Sequence, residues 1–146
     1  MPEQAQPVEI LLVEDNPVDA MMIREALHLA RIRHQVSLIE DGEAALRFLR
    51  NEPPYEKAAR PDVVILDLRL PRVSGHAVLG AMKADPQLRP IPVLVLTTSS
   101  AQRDIAKSYD LHADQFVTKP VGLDVLAGEL RIIEGLAARA RQASAS

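Results

Sequence analysis

The sequence contains no cysteine, which removes disulfide frameworks, thiolate metal sites and cysteine nucleophiles together and agrees with a reducing compartment. Aromatic residues are scarce, with Phe48, Tyr55, Tyr109 and Phe116 making up the whole set. Combined with a formal net charge of -3, that scarcity leaves neither a base-stacking platform nor a basic groove, so no nucleic-acid partner is expected. The stretch from Met1 to Pro7 has no charged segment followed by an apolar run, and no segment approaches the length needed to cross a bilayer. A cytoplasmic protein without membrane contact is the expectation. Neither G-x-x-x-x-G-K-S/T nor G-x-G-x-x-G occurs, which speaks against a nucleotide-dependent enzyme.

What is present is enough apolar material for one core: 47% of 146 residues, within the size range of a single domain. Short apolar runs suited to buried strands recur at Val8 to Val13, Val36 to Ile39, Val63 to Leu66, Val93 to Leu96 and Gln115 to Val117. Between them lie segments with helical spacing, clearest in Ala20, Ile23, Leu27, Ala30 and in Leu123, Leu126, Leu130, Ile133. Asn16 before Pro17 marks one helix start and Ser74 another. Pro86, Pro90 and Pro92 end the third helix near Ala84. One domain spans 1–146, with a core of about 8–139, an N-terminal tail 1–7 and a C-terminal tail 140–146. The stretch from Asn51 to Pro61 reads as a long loop, and Ala137 to Ser146 as a helix end fraying into small residues.

Strands alternating with helices predict an α/β fold, a parallel sheet covered on both faces, whose ligand site lies beyond the carboxyl ends of the strands. Those ends carry Glu14-Asp15, Asp67, Thr97 and Thr118-Lys119-Pro120. Three carboxylates in one pocket require a cation, and oxygen ligands without His or Cys favour Mg²⁺. A carboxylate beside Mg²⁺ and the Lys119 ammonium is equipped to attack a phosphoryl group, with the Thr97 hydroxyl donating a hydrogen bond. The product is an aspartyl phosphate that the same site can discharge to water.

The runs Leu12-Val13-Glu14-Asp15-Asn16, Ile65-Leu66-Asp67-Leu68-Arg69-Leu70-Pro71, Leu96-Thr97-Thr98-Ser99 and Phe116-Val117-Thr118-Lys119-Pro120 resemble, in order and separation, those of the response regulator receiver family. The resemblance covers Val8 to about Arg139. It implies a doubly wound, flavodoxin-like fold of five parallel strands in the order 2-1-3-4-5 flanked by five helices. It makes Asp67 the phosphoacceptor, Glu14 and Asp15 the acidic metal-binding pair, Arg69 a metal ligand through its backbone carbonyl, and Lys119 the phosphate contact. Thr97 resembles the switch hydroxyl, Phe116 the aromatic that moves with it, and Lys119-Pro120 a peptide commonly held cis. The implied activity is not that of an ordinary enzyme but phosphoryl transfer from phosphohistidine to itself, followed by autodephosphorylation. Implied partners are a sensor histidine kinase, a downstream protein of unknown identity and a second copy through the fourth helix, fifth strand and fifth helix. Thr98, where alanine is common, and the Pro53-Pro54-Tyr55 loop are similar to single-domain regulators serving bacterial phytochrome kinases.

Each feature also has a plainer account. Glu14-Asp15 alone fits acidic residues at the positive end of a helix equally well. Ser99 and Ser100 read as helix caps, Lys119 alone as a solvated charge and Phe116 alone as core. Asp67 is harder to explain structurally, because Leu68 to Val73 separate it from the Ser74 cap. His28, His34, His76 and His112 lie on different elements without ligand spacing, which favours surface or satisfied polar positions over a metal site. Rival functions are a phosphorylation-independent interaction domain, which would lack an acidic, acceptor or lysine position, and a flavodoxin-like electron carrier, whose phosphate Glu14-Asp15 would repel. A phosphatase with paired aspartates would need an acid where Arg69 stands.

Overall fold

The computed structural model describes residues 6–97, 102–118 and 122–145. Five strands form one parallel sheet: β1 (Val8–Val13), β2 (His34–Ile39), β3 (Val63–Leu66), β4 (Val93–Thr97) and β5 (Gln115–Thr118), in the order β2-β1-β3-β4-β5. The interior strands are almost continuously apolar because helices cover both of their faces. All four residues of β3 and all five of β4 are buried. The edge strands β2 and β5 are only partly buried.

The helices are α1 (Pro17–Leu29), α2 (Gly42–Leu49), α3 (Gly75–Ala84), α4 (Gln102–Asp110), α5 (Leu123–Leu130) and α6 (Ile132–Ala145). The last two run on through Arg131, which keeps right-handed helical angles, so five helical units flank the sheet. On one face, Ala20, Ile23 and Leu27 of α1 meet Leu126, Leu130 and Ile133 of α5 and α6 over Ile10, Leu12 and Ile65. On the other, Ala45 and Phe48 of α2 and Val78, Leu79 and Met82 of α3 pack over Leu11, Val13, Val64 and Val95. Fully burying each Leu, Ile or Val of these layers contributes about 1.5–3 kcal/mol.

Helix starts follow the expected caps. The Asn16 side chain accepts from Val18 N at 2.9 Å and Asp19 N at 3.1 Å, with Pro17 at the first position. Asp41 Oδ1 accepts from Ala44 N at 2.8 Å, and Ser74 Oγ from Ala77 N at 3.2 Å. The 51–61 stretch is an ordered turn system in which Asn51 Nδ2 donates to the carbonyls of Tyr55 and Ala58, and Phe48 and Tyr55 pack with ring centres 5.5 Å apart. Within it the Pro53–Pro54 peptide is cis.

Three expected boundaries shift. β2 opens at His34 rather than Val36, because an edge strand tolerates polar residues; β4 includes Thr97 and β5 reaches Thr118. The C-terminal stretch is not a fraying tail. Helix continues to Ala145, since the Ala- and Arg-rich sequence favours it and the chain is tied back. Arg141 makes that tie, donating from Nη2 to Asp62 Oδ2 at 2.6 Å and Pro7 O at 2.8 Å, and from Nε to Asp62 Oδ1 at 3.1 Å. No helix among the described residues is long and apolar enough to cross a membrane.

Candidate functional site

The backbone ladder carries two acidic residues past the strand ends. Glu14 N donates to Ile39 O at 3.0 Å and Asp67 N to Val13 O at 3.0 Å, so both residues stay in register with the sheet as their side chains enter the cleft above it. Glu14 is 1% exposed and Asp67 7%, while Asp15 is exposed. One carboxylate oxygen from each of the three lies within 4.8 Å of the others. Buried like charges at that spacing call for a cation, and an all-carboxylate donor set suits a hard divalent ion such as Mg²⁺. The residues present therefore fit the metal expected from the sequence.

Local hydrogen bonds fix two of the carboxylates. Glu14 Oε2 accepts from Asn16 N at 3.2 Å, and Asp67 Oδ1 from Arg69 N at 3.0 Å. The second bond gives Asp67 the structural role that sequence reasoning failed to find, a turn closed by its own side chain. Arg69 itself is exposed beside the site.

The segment after Asp67 is confined by glycines whose role was not recognised in the sequence. Gly75 N donates to Leu68 O at 2.9 Å, and a Cβ on Gly75 would overlap the Asp67 carbonyl oxygen and Leu68 Cα. A Cβ on Gly42 would overlap the Val73 carbonyl oxygen. Between them Val73 N donates to Pro71 O at 2.8 Å around Arg72 at φ 67°, a tight γ-turn in the left-handed region. The available signal was the placement of glycines at the starts of the second and third helices.

Thr97 ends β4 fully buried, paired in register with Thr118, and Phe116 pairs with Val95 while packing, half-buried, on the second core layer. Thr97 is not isolated, since it takes part in further polar interactions. Lys119 and Pro120, with the expected cis peptide, lie outside the described residues, as do Thr98, Ser99 and Ser100. His76 reaches Asp104 O at 3.4 Å, whereas the rings of His28 and His34 meet at the far end of the sheet.

Comparison with known proteins converges on one family. The model for the response regulator receiver domain matches residues 10–131. The response regulator Rcp1 of Synechocystis sp. (strain ATCC 27184 / PCC 6803 / Kazusa) is 39% identical over 134 residues, covering 92% of this chain and 89% of the relative. The probable methanogenesis regulatory protein FilR2 of Methanothrix harundinacea (strain 6Ac) is 41% identical over 126 residues, covering 85% of this chain and 79% of the relative. Among solved structures, the phosphorylated cyanobacterial phytochrome response regulator RcpA superposes with a TM-score of 0.78 at 43% identity, covering 90% of this chain and 91% of that one. The Mn²⁺-bound form of Rcp1 gives 0.79 at 40% identity, covering 88% and 93%. With a family model spanning most of the sequence and a matching sheet, the chain belongs to the response regulator receiver family of two-component signalling.

Proposed function

We propose that this response regulator takes a phosphoryl group from a sensor histidine kinase onto Asp67. The observation that carries the reading is the convergence of Glu14, Asp15 and Asp67 within 4.8 Å at the carboxyl ends of β1 and β3. An Asp67 carboxylate oxygen forms the new O–P bond as the P–N bond to the donor imidazole breaks, and the leaving nitrogen keeps the electron pair. Glu14, Asp15, Asp67 and the Arg69 carbonyl are the groups that would hold Mg²⁺. When bound, the ion supplies positive charge against the phosphoryl oxygens. Lys119 takes the role of a phosphate contact and Thr97 that of a hydroxyl donor to the transferred group. Water later attacks phosphorus, the P–O bond to Asp67 breaks, and the carboxylate and inorganic phosphate are released.

Output follows from repacking: Thr97 moves toward the phosphoryl oxygens, Phe116 follows, and the surface of α4, β5 and α5 shifts between two states. That surface is the proposed contact for a downstream protein or a second copy. The likeness to the cyanobacterial phytochrome response regulator RcpA supports a phytochrome-type kinase as donor, and the setting expected for such a pair is cytoplasmic. The test is intact-mass analysis after incubation with acetyl phosphate, with and without Mg²⁺. A Mg²⁺-dependent gain of one phosphoryl group that Asp67→Asn lacks is expected. No adduct after rapid quenching, with the donor independently verified, would move the assignment to constitutive binding.

A further inference from the structure

No described residue of α4 belongs to either core layer, and its outward face, Ala106, Lys107, Tyr109 and Asp110, is exposed. Its contacts with α3 lie toward its two ends. Just past its carboxyl end, Leu111 packs on the second core layer, with Cδ2 3.8 Å from the position a Cβ would take on Gly80 of α3. In its first turn, the carbonyl oxygen of Asp104 lies 3.4 Å from Nε2 of His76.

A carbonyl only accepts, so Nε2 of His76 carries the proton and donates. His76 is the half-buried second residue of α3. Directly before it stands Gly75, whose N–H donates to the Leu68 carbonyl at 2.9 Å and whose missing Cβ leaves room for the Asp67 carbonyl oxygen. Two consecutive residues therefore touch both the backbone of Asp67 and the backbone of α4. The 3.4 Å bond is longer than the usual N–H···O range. A long bond to a helix without core contacts can break while both core layers stay intact, which suits an element that shifts between two positions.

We infer that His76 is a positioning residue for phosphoryl acceptance, a latch that holds α4 in the position described and opposes the repacking that follows phosphorylation of Asp67. The inference rests on the reading of Asp67 as acceptor and names the contact that must break. A phosphoryl group that favours the repacked state then binds against this bond, so the latch lowers the apparent affinity of the cleft for it. Removing the donor raises that affinity, whereas mere damage to the fold would lower it.

The test is NMR titration of the full chain with beryllofluoride, a phosphoryl analogue, at saturating Mg²⁺, following the amide signals of α4 and β5. His76→Leu fills similar space without a donor. Its half-saturating concentration should fall about 2–10-fold, the range expected for one net hydrogen bond. Amide exchange in α4 should also quicken before any analogue is added. His76→Gln keeps an N–H donor and should restore the behaviour of the parent. An unchanged or higher half-saturating concentration in His76→Leu, unaltered exchange in α4, or equal behaviour of the two variants would each overturn the proposal. A parent chain that binds Mg²⁺ yet gives no response to beryllofluoride would instead overturn the acceptor reading, and this inference with it.

Discussion

Asp67 and Gly75 illustrate how tightly single residues constrain the cleft. Asp67 is anchored through its backbone N–H and through its own side chain, and Gly75 presses against its carbonyl. Because the atoms a methyl group would meet at position 75 are backbone, they cannot rotate away. Gly75→Ala should cost about 1–3 kcal/mol and slow phosphoryl uptake by displacing Asp67. Gly128 supplies the contrast, since a Cβ there meets nothing within 4 Å and the residue lies inside a helix. Gly128→Ala should stabilise by about 0.4–1 kcal/mol without altering uptake. Urea midpoints and acetyl phosphate kinetics of the two variants check both statements.

Lys83 offers a second residue-scale prediction. Its Nζ donates to the carbonyls of Arg89 and Ile91 at 3.1 and 3.0 Å, pinning the proline-rich turn before β4, with Asp114 3.9 Å away. Burial lowers its pKa below 10.5, partly opposed by Asp114. The unfolded chain then binds more protons between the lowered value and 10.5, so this group makes stability rise with pH across that window. Lys83→Met should be less stable overall, because two carbonyls lose a donor, and should lose that component of the slope. Equal slopes in paired urea titrations of the two proteins on the alkaline side would contradict the assignment.

Among the elements, buried strands were the most legible because burial on both faces writes a continuous apolar run, as in Val63–Leu66. The strand-end carboxylates were legible because alternating strands and helices place every strand end on one edge. What could not be read depends on contacts distant in sequence or on special backbone angles. The start of β2 hid behind His34 and Gln35, and the histidine pair meets only because Arg31 takes a positive φ. The end of the last helix reads as a fraying tail in the sequence because its anchor, Asp62, lies at the entrance to β3. Asp62 also accepts from Glu9 N at 2.9 Å, so one carboxylate joins β1, β3 and α6. The pair is only partly exposed, at 38% for Arg141 and 15% for Asp62. Hydrogen bonds to charged groups contribute about 1.5–3 kcal/mol, and solvent screening of the Arg141 side reduces the expected loss in Arg141→Ala to about 1–2 kcal/mol. Amide exchange should quicken at the end of α6 and stay slow in α5. Uniform acceleration through both would instead indicate that they unfold as one unit.

For the whole molecule, the cleft opposes folding through its charge, and a divalent cation bound there would relieve it. Glu14 and Asp67 are both buried, and like charges within 4.8 Å of each other repel by about 3.5 kcal/mol or more at an effective dielectric near 20. Other polar partners of the two side chains offset part of this. Asp67→Asn removes the repulsion while Asn retains an oxygen for the Arg69 N–H bond. Without metal the variant should therefore be more stable than the parent, on the order of 1 kcal/mol. Mg²⁺ should reverse the order. An ion bound only by the folded chain adds about 2.7 kcal/mol at a hundredfold excess over its dissociation constant, and Asp67→Asn should gain little of that. Urea unfolding of both proteins with EDTA and with Mg²⁺ gives the four stabilities required. Equal gains from Mg²⁺ in the two proteins would remove Asp67 from the metal site, whereas a metal-free variant weaker than the parent would mean that its carboxylate is held more by partners than it is repelled by Glu14.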